Sequence, residues 1–182
     1  MKLFAKIYGE VVYIMTLAIL LFSALFMVPR LFGITPYIVQ SGSMEPLIQT
    51  GAVAFIDERN TSNVSVGDIV TFEIGNEDTT VLVTHRVVKR NSDGTLTTKG
   101  DANDAIDIVS ITPNQIVGKY VMSIPKVGYL LSGMNRPKLF VIAGFIVLLN
   151  ISSRIMDIIV EDEEEEVHRK RRKKKRQIPA EV

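Results

Sequence analysis

Ser43 and His85 are of the residue types that together activate a hydroxyl group, and carboxylates follow close behind them. Ser43 lies in Ser41-Gly42-Ser43-Met44-Glu45-Pro46, where an extended run stops at a proline and Gly42 lets another chain approach the backbone closely. His85 lies in Val81-Leu82-Val83-Thr84-His85-Arg86-Val87; the only other histidine, His168, belongs to a charged tail. The carboxylates come in Lys99-Gly100-Asp101-Ala102-Asn103-Asp104-Ala105-Ile106-Asp107. A hydroxyl attacks a carbonyl only when a base takes its proton, and an imidazole does this best when a carboxylate orients it. Singly, each feature has an ordinary explanation: a solvated turn serine, a satisfied core histidine, a solvated acidic loop or weak cation site. Together they are the parts needed for acyl transfer. The absence of cysteine excludes a thiol nucleophile and a Cys-ligated metal. No metal or organic cofactor is expected. The middle of the chain has neither a glycine-rich phosphate loop nor a basic patch interleaved with aromatics, so nucleotide and nucleic-acid functions have nothing to rest on.

The elements that must position these groups are strands. Alternation puts His85 on the face of Val81, Val83 and Val87, with Thr84 and Arg86 opposite. Asn91-Ser92-Asp93-Gly94 is a turn that folds the chain back beside His85. A three-residue loop brings Asp101 directly across from His85, and a four-residue loop moves it to the other face. Asp107, beyond the turn at Gly100, is free to fold back. Short runs rich in Val, Ile, Thr and Phe predict strands over 37–43, 52–57, 68–74, 79–90, 95–99 and 116–124. Turn residues separate them, and the fold class expected is a compact antiparallel β domain.

The two ends of the chain are different. Val11 to Pro29 is a run of 19 residues without a charge, which as a helix is about 28 Å long and matches the apolar thickness of a bilayer. Its length exceeds the apolar part of a cleaved leader, so an uncleaved anchor is expected. A second run, extended at its flanks by snorkelling Lys138 and Arg154, gives a span over 138–159. The net charge of +1 hides a segregation: residues 161–182 hold 8 of the 21 basic and 7 of the 20 acidic groups. The basic run from Arg169 to Arg176 places the tail in the cytoplasm, and Lys2 and Lys6 agree. The expected organisation is a cytoplasmic segment 1–10, a transmembrane helix 11–30, an extracytoplasmic β catalytic domain 31–137, a transmembrane helix 138–159 and a charged, disordered cytoplasmic tail 160–182. That describes a two-pass plasma-membrane protein with both termini inside. Asn60-Thr61-Ser62 and Asn63-Val64-Ser65 are glycosylation-type patterns on the outward part.

Four boxes, Ser-Gly-Ser-Met-Glu-Pro at 41–46, Val-Gly-Asp-Ile-Val-Thr-Phe at 66–72, Thr-His-Arg-Val at 84–87 and Lys-Gly-Asp-Ala-Asn-Asp at 99–104, stand in one order. In that order and spacing the chain resembles the type I signal peptidases over roughly residues 11–130. Histidine stands where the bacterial housekeeping branch has a lysine base. The chain therefore looks like the endoplasmic-reticulum type branch, which is also found in archaea and some Gram-positive bacteria. The resemblance implies Ser43 as nucleophile and His85 as general base. Through a second aspartate six residues after the Gly-Asp box, it implies Asp107 as the residue orienting the imidazole, with Asp101 supporting the site. Ser41, Gly42 and Met44 are the candidates for oxyanion and substrate binding. The partners implied are signal peptides of exported preproteins with small residues before the cut, membrane lipid and a Sec translocon; no nucleic acid is required. The competing reading is a non-enzymatic two-span protein that presents a β module to peptides or partners outside the cell. It accounts for the spans, the sheet and the tail, but not for the four boxes.

Overall fold

The structure, a computed structural model, describes residues 2–59, 61–76, 79–134 and 136–176. It divides into two compact units, one of residues 24–134 and one made of residues 1–23 with 135–182.

The first unit is built on a six-stranded antiparallel sheet. Its strands are β1 (Ile34–Ile38), β2 (Val53–Asp57), β3 (Ile69–Asn76), β4 (Thr79–Arg90), β5 (Leu96–Lys99) and β6 (Ile116–Ile124), in the order β1-β2-β6-β3-β4-β5. Alternation along β3 divides the core: Val70 and Phe72 join Val64, Val87, Leu96, Ile111 and Ile116, while Ile69 joins Met44, Ile48 and Ala52. Phe72 and Val70, on a strand paired on both sides by β6 and β4, are wholly buried.

The strand expected over 37–43 is displaced: β1 starts at Ile34 and stops at Ile38, so Ser43 does not end a strand. Pro36 is the reason the first residues do not read as a strand, and the sheet accepts it because β1 is an edge. Opposite β2, Tyr37 pairs with Ala54, and Val39 N–H donates to Ala52 O at 2.9 Å. Odd-numbered residues therefore carry the ladder, and Pro36 faces the open side, where its missing N–H costs nothing. Beyond Val39 the chain curls. Glu45 N–H reaches Gly42 O at 3.0 Å and Ile48 N–H reaches Met44 O at 2.9 Å, which ends the extended run before the serine.

The second unit contains the N-terminal part of α1 (Lys2–Leu31) and α3 (Arg136–Arg176); a short α2 (Val127–Ser132) belongs to the first unit. The two helices meet through polar groups set in apolar surroundings. Tyr8 and Ser152 share a hydrogen bond of 2.6 Å, Asn150 Nδ2 donates to Thr16 Oγ1 at 3.0 Å, and Ser153 lies against Gly9. Both helices are long and apolar enough to cross a membrane, and their apolar side chains point outward, as with Leu21, Phe140 and Val141. Where a disordered tail was expected from 160 onward, α3 continues without a break to Arg176. The acidic run precedes the basic one by a helical turn, so Glu165 pairs with Arg169 and Glu166 with Lys170, the favourable orientation of such pairs. Lys2 is paired with Glu164. Residues 177–182 and the glycosylation-type Asn60 lie outside the described residues.

Removing the largest wholly buried side chain of the sheet tests this account of the core. Phe72→Ala is expected to cost about 3–5 kcal/mol in denaturant unfolding of the detergent-solubilised protein. A loss below about 1 kcal/mol would mean that the core does not centre on β3.

Candidate active site

Ser43 is carried by the curled segment between β1 and β2, and three attachments fix it. Its neighbours Met44 and Ile48 are buried, at 2% and 1% exposure, under the sheet. The Glu45 carboxylate closes the segment by accepting from Thr50 N–H at 3.2 Å and Thr50 Oγ1 at 2.9 Å. Ser43 O itself accepts from Ala102 N–H at 2.9 Å, which ties the serine backbone to the loop after β5. Gly100 makes that approach possible: a Cβ there would lie 2.6 Å from Ser43 O and 2.7 Å from the Asn103 amide.

His85 lies in the middle of β4, opposite Val70 of β3, with its ring edge-on to Phe72 and only 8% exposed. Its two nitrogens are both engaged. Nδ1 is 2.6 Å from Asp107 Oδ2, and Nε2 is 3.1 Å from Ser43 Oγ. A carboxylate can only accept, so Nδ1 carries the proton, and the Nε2 lone pair faces the serine hydroxyl. The geometry is that of a hydroxyl whose proton has a base within reach and whose base has an oriented partner. Thr98, wholly buried on β5, completes it: its hydroxyl donates to the same Asp107 Oδ2 at 2.5 Å. Nothing in the sequence pattern singles out Thr98, because it reads as one strand threonine among several.

Asp101 is not placed on the imidazole. It forms a two-pronged pair with Arg86, Nε to Oδ1 at 2.8 Å and Nη2 to Oδ2 at 2.6 Å, while Arg86 Nη1 donates to Gly67 O at 2.8 Å. The cause is a bulge. The turn has the three-residue form, with Asn91 N–H to Thr95 O at 2.8 Å, which by itself would set Asp101 across from His85. Between Val87 and Lys89, however, the register slips by one, so Arg86 faces Lys99 and the position across from His85 falls to Gly100. Hydrogen bonds from Arg86 hold the Asp101 carboxyl below the usual carboxylate range, against an opposing push from burial, and the same pair raises Arg86.

The remaining candidates separate. Ser41 Oγ is 3.4 Å from Ser43 Oγ, on the open side of the site. Gly42 is needed for closeness, since a Cβ there would press on the Glu45 carboxylate at 3.2 Å. Met44, the third candidate for oxyanion or substrate binding, has its side chain in the core, where Sδ accepts from Asp101 N–H at 3.5 Å. Among the described residues no cluster of His, Asp and Glu is arranged to hold a metal ion.

Comparison with known proteins identifies relatives. Residues 10–91, which include Ser43 and His85, match the family described as signal peptidase, peptidase S26. The signal peptidase complex catalytic subunit SEC11 of Lachancea thermotolerans is 37% identical over 106 residues, 51% of this chain and 61% of that protein. SEC11 of Colletotrichum graminicola is 36% identical over 104 residues, 51% of this chain and 59% of its own length. SEC11 of Eremothecium gossypii is 34% identical over 125 residues, 61% of this chain and 73% of its own. The chain thus spans about three fifths of the first two relatives and nearly three quarters of the third.

The Arg86–Asp101 pair gives a pH-dependent expectation. Because the folded pKa of Asp101 lies below the unfolded value of about 3.9, the pair's contribution is present above that value and is lost as pH falls through the folded one. Asp101→Asn is therefore expected to be less stable than the parent at pH 7 by about 1 kcal/mol, a modest figure because both side chains are partly solvated. The gap should narrow at pH 3. Denaturant melts at the two pH values measure it, and a gap that stays constant would contradict the assignment.

Proposed function

Because the chain belongs to the signal peptidase family, peptidase S26, on its endoplasmic-reticulum type branch, we propose that it is a membrane-bound serine endopeptidase that removes signal peptides from exported preproteins. The observation that carries this reading is the contact series Ser43–His85–Asp107, at 3.1 and 2.6 Å, whose serine and histidine lie within the residues that match the family. In this mechanism His85 Nε2 accepts the Ser43 hydroxyl proton as Oγ attacks the scissile carbonyl, and Asp107 stabilises the imidazolium that forms. The proton passes to the leaving amine, and a water activated by the same imidazole hydrolyses the acyl-enzyme. The negative oxygen of the tetrahedral state is held by the Ser43 N–H and the Ser41 hydroxyl, which lies 3.4 Å from Oγ.

The substrate adds as a strand to the open side of β1. Alternation turns the backbone groups of Ile38 and Gln40 away from β2, three to five residues before Ser43. An extended peptide paired there is led to the serine, and shallow pockets beside it admit small side chains before the cut. Pro36 ends the available ladder on the other side.

The two apolar helices anchor the enzyme in the membrane as spans over 11–30 and 138–159. An apolar surface so extensive is stable only in lipid or under a partner. The basic run from Arg169 fixes both ends in the cytoplasm and puts residues 31–137 outside, in the plasma-membrane orientation in which a translocated chain emerges beside the site. Membrane lipid and the Sec translocon are its neighbours in this arrangement.

Two experiments test the proposal. Ser43→Ala and His85→Ala should each lower cleavage of a reconstituted preprotein by roughly 10⁴-fold or more while leaving the melting curve unchanged. Processing at the parental rate by either variant would refute the assignment and favour the non-enzymatic binding module. For topology, the absence of native cysteine allows single replacements. In intact cells a membrane-impermeant maleimide should label Ser92→Cys and leave Glu163→Cys unlabelled until lysis; the reverse pattern would overturn the orientation.

A further inference from the structure

The two residues beside Asp107 give it no support. Ile106 is 58% exposed and Ile108 fully so, hence the aspartate lies in a loop whose own side chains do not pack. Yet its carboxylate must stay in line with the His85 ring for the imidazole to remain aimed at Ser43. Besides the His85 bond itself, one residue of β5 holds it, at two points. Asp107 N–H donates to Thr98 O at 2.8 Å, and Thr98 Oγ1 donates to Asp107 Oδ2 at 2.5 Å, on the same oxygen that receives the His85 Nδ1 proton. Thr98 is itself wholly buried and paired with Val87 beside the bulge of β4.

Resting on the mechanism proposed above, we propose that Thr98 is the positioning residue of the catalytic series: it fixes the Asp107 carboxylate by a buried hydroxyl. The hydroxyl proton does not move in the reaction. By occupying one lone pair of Oδ2 it leaves another directed at Nδ1, so the carboxylate cannot rotate away into solvent, to which it is partly open. A charged acceptor with two fixed donors is a stiff orienting group; with one donor, on an exposed loop, it is a mobile one. The other carboxylate in this region, Asp101, cannot take its place, because Arg86 engages both of its oxygens.

The test compares Thr98→Val, which keeps the shape and removes the hydroxyl, with Thr98→Ser, which restores it, in the full chain purified in detergent micelles. Thr98→Val is expected to lower kcat for a synthetic preprotein by roughly 10- to 100-fold, with KM within about twofold, because the loss is one of alignment and not of substrate contact. The low-field proton resonance of the His85 Nδ1–H···Oδ2 bond should broaden or move upfield in the same variant. The spectrum is simple to assign, since the chain has two histidines and His168 is remote in sequence. Thr98→Ser should recover both the rate and the resonance, and melting temperatures establish that the variants are folded. A Thr98→Val protein with parental kcat and an unchanged resonance overturns the proposal. So does a slow Thr98→Val whose resonance is unchanged, or a Thr98→Ser as impaired as Thr98→Val, since either assigns the effect to packing. If the parent enzyme shows no cleavage, the proposed activity fails, and the resonance still decides whether Thr98 positions the His85–Asp107 pair.

Discussion

The site depends on bringing a loop serine and a strand histidine to 3.1 Å when the two are 42 residues apart in the chain. Neither can drift toward the other, because each is fixed by packing that has nothing to do with the reaction. His85 is held against Phe72 and between the neighbouring strands β3 and β5. Ser43 is locked by the burial of Met44 and Ile48 and by the Ala102 N–H on its own carbonyl. The missing side chain at Gly100 sets the distance: it lets the loop after β5 press against the serine backbone, and the same loop runs on to Asp107. One segment, 98–107, therefore bears on both Ser43 and the carboxylate bonded to His85.

Much of this was readable in the sequence where local rules decide the outcome. Periodicity placed β4 over 79–90 and β6 over 116–124 with the bounds the structure shows, because both are long runs rich in strand-forming residues and bounded by turns. It also put His85 on the apolar face. It failed at β1, where Pro36 reads as a break although an edge strand tolerates it, and at the charged end of α3, where acid and base at four-residue spacing favour helix over disorder. The pairing of Asp107 with His85 was legible only through the family resemblance, and the contact with Thr98 not at all, since both depend on how a loop of exposed residues folds back onto a strand.

The β4 bulge shows why spacing alone misleads. The three-residue turn was the right form, and it implied Asp101 opposite His85. One extra residue between Val87 and Lys89 then turned the odd and even positions of the hairpin against each other above that point. What local sequence does not announce is a bulge, because its cost and benefit lie in the sheet as a whole.

The slip has a chemical result. With Asp101 across from His85 on one face, two carboxylates would converge on one imidazole, and their mutual repulsion would raise the cost of keeping both ionised. The bulge sends Asp101 to the face of Arg86, which engages both of its oxygens, and leaves Gly100 beside His85. The imidazole then bonds a single carboxylate, whose position is set by Thr98 and whose charge is not shared with a second partner of the same sign. The charge of Asp101 serves the loop in another way: through Arg86 and the Gly67 carbonyl it fastens the segment 100–103 to the turn before β3. Thus the two aspartates of one short segment take separate partners, Asp107 the His85 imidazole and Asp101 the Arg86 guanidinium, and the division follows from a single unpaired residue in the neighbouring strand.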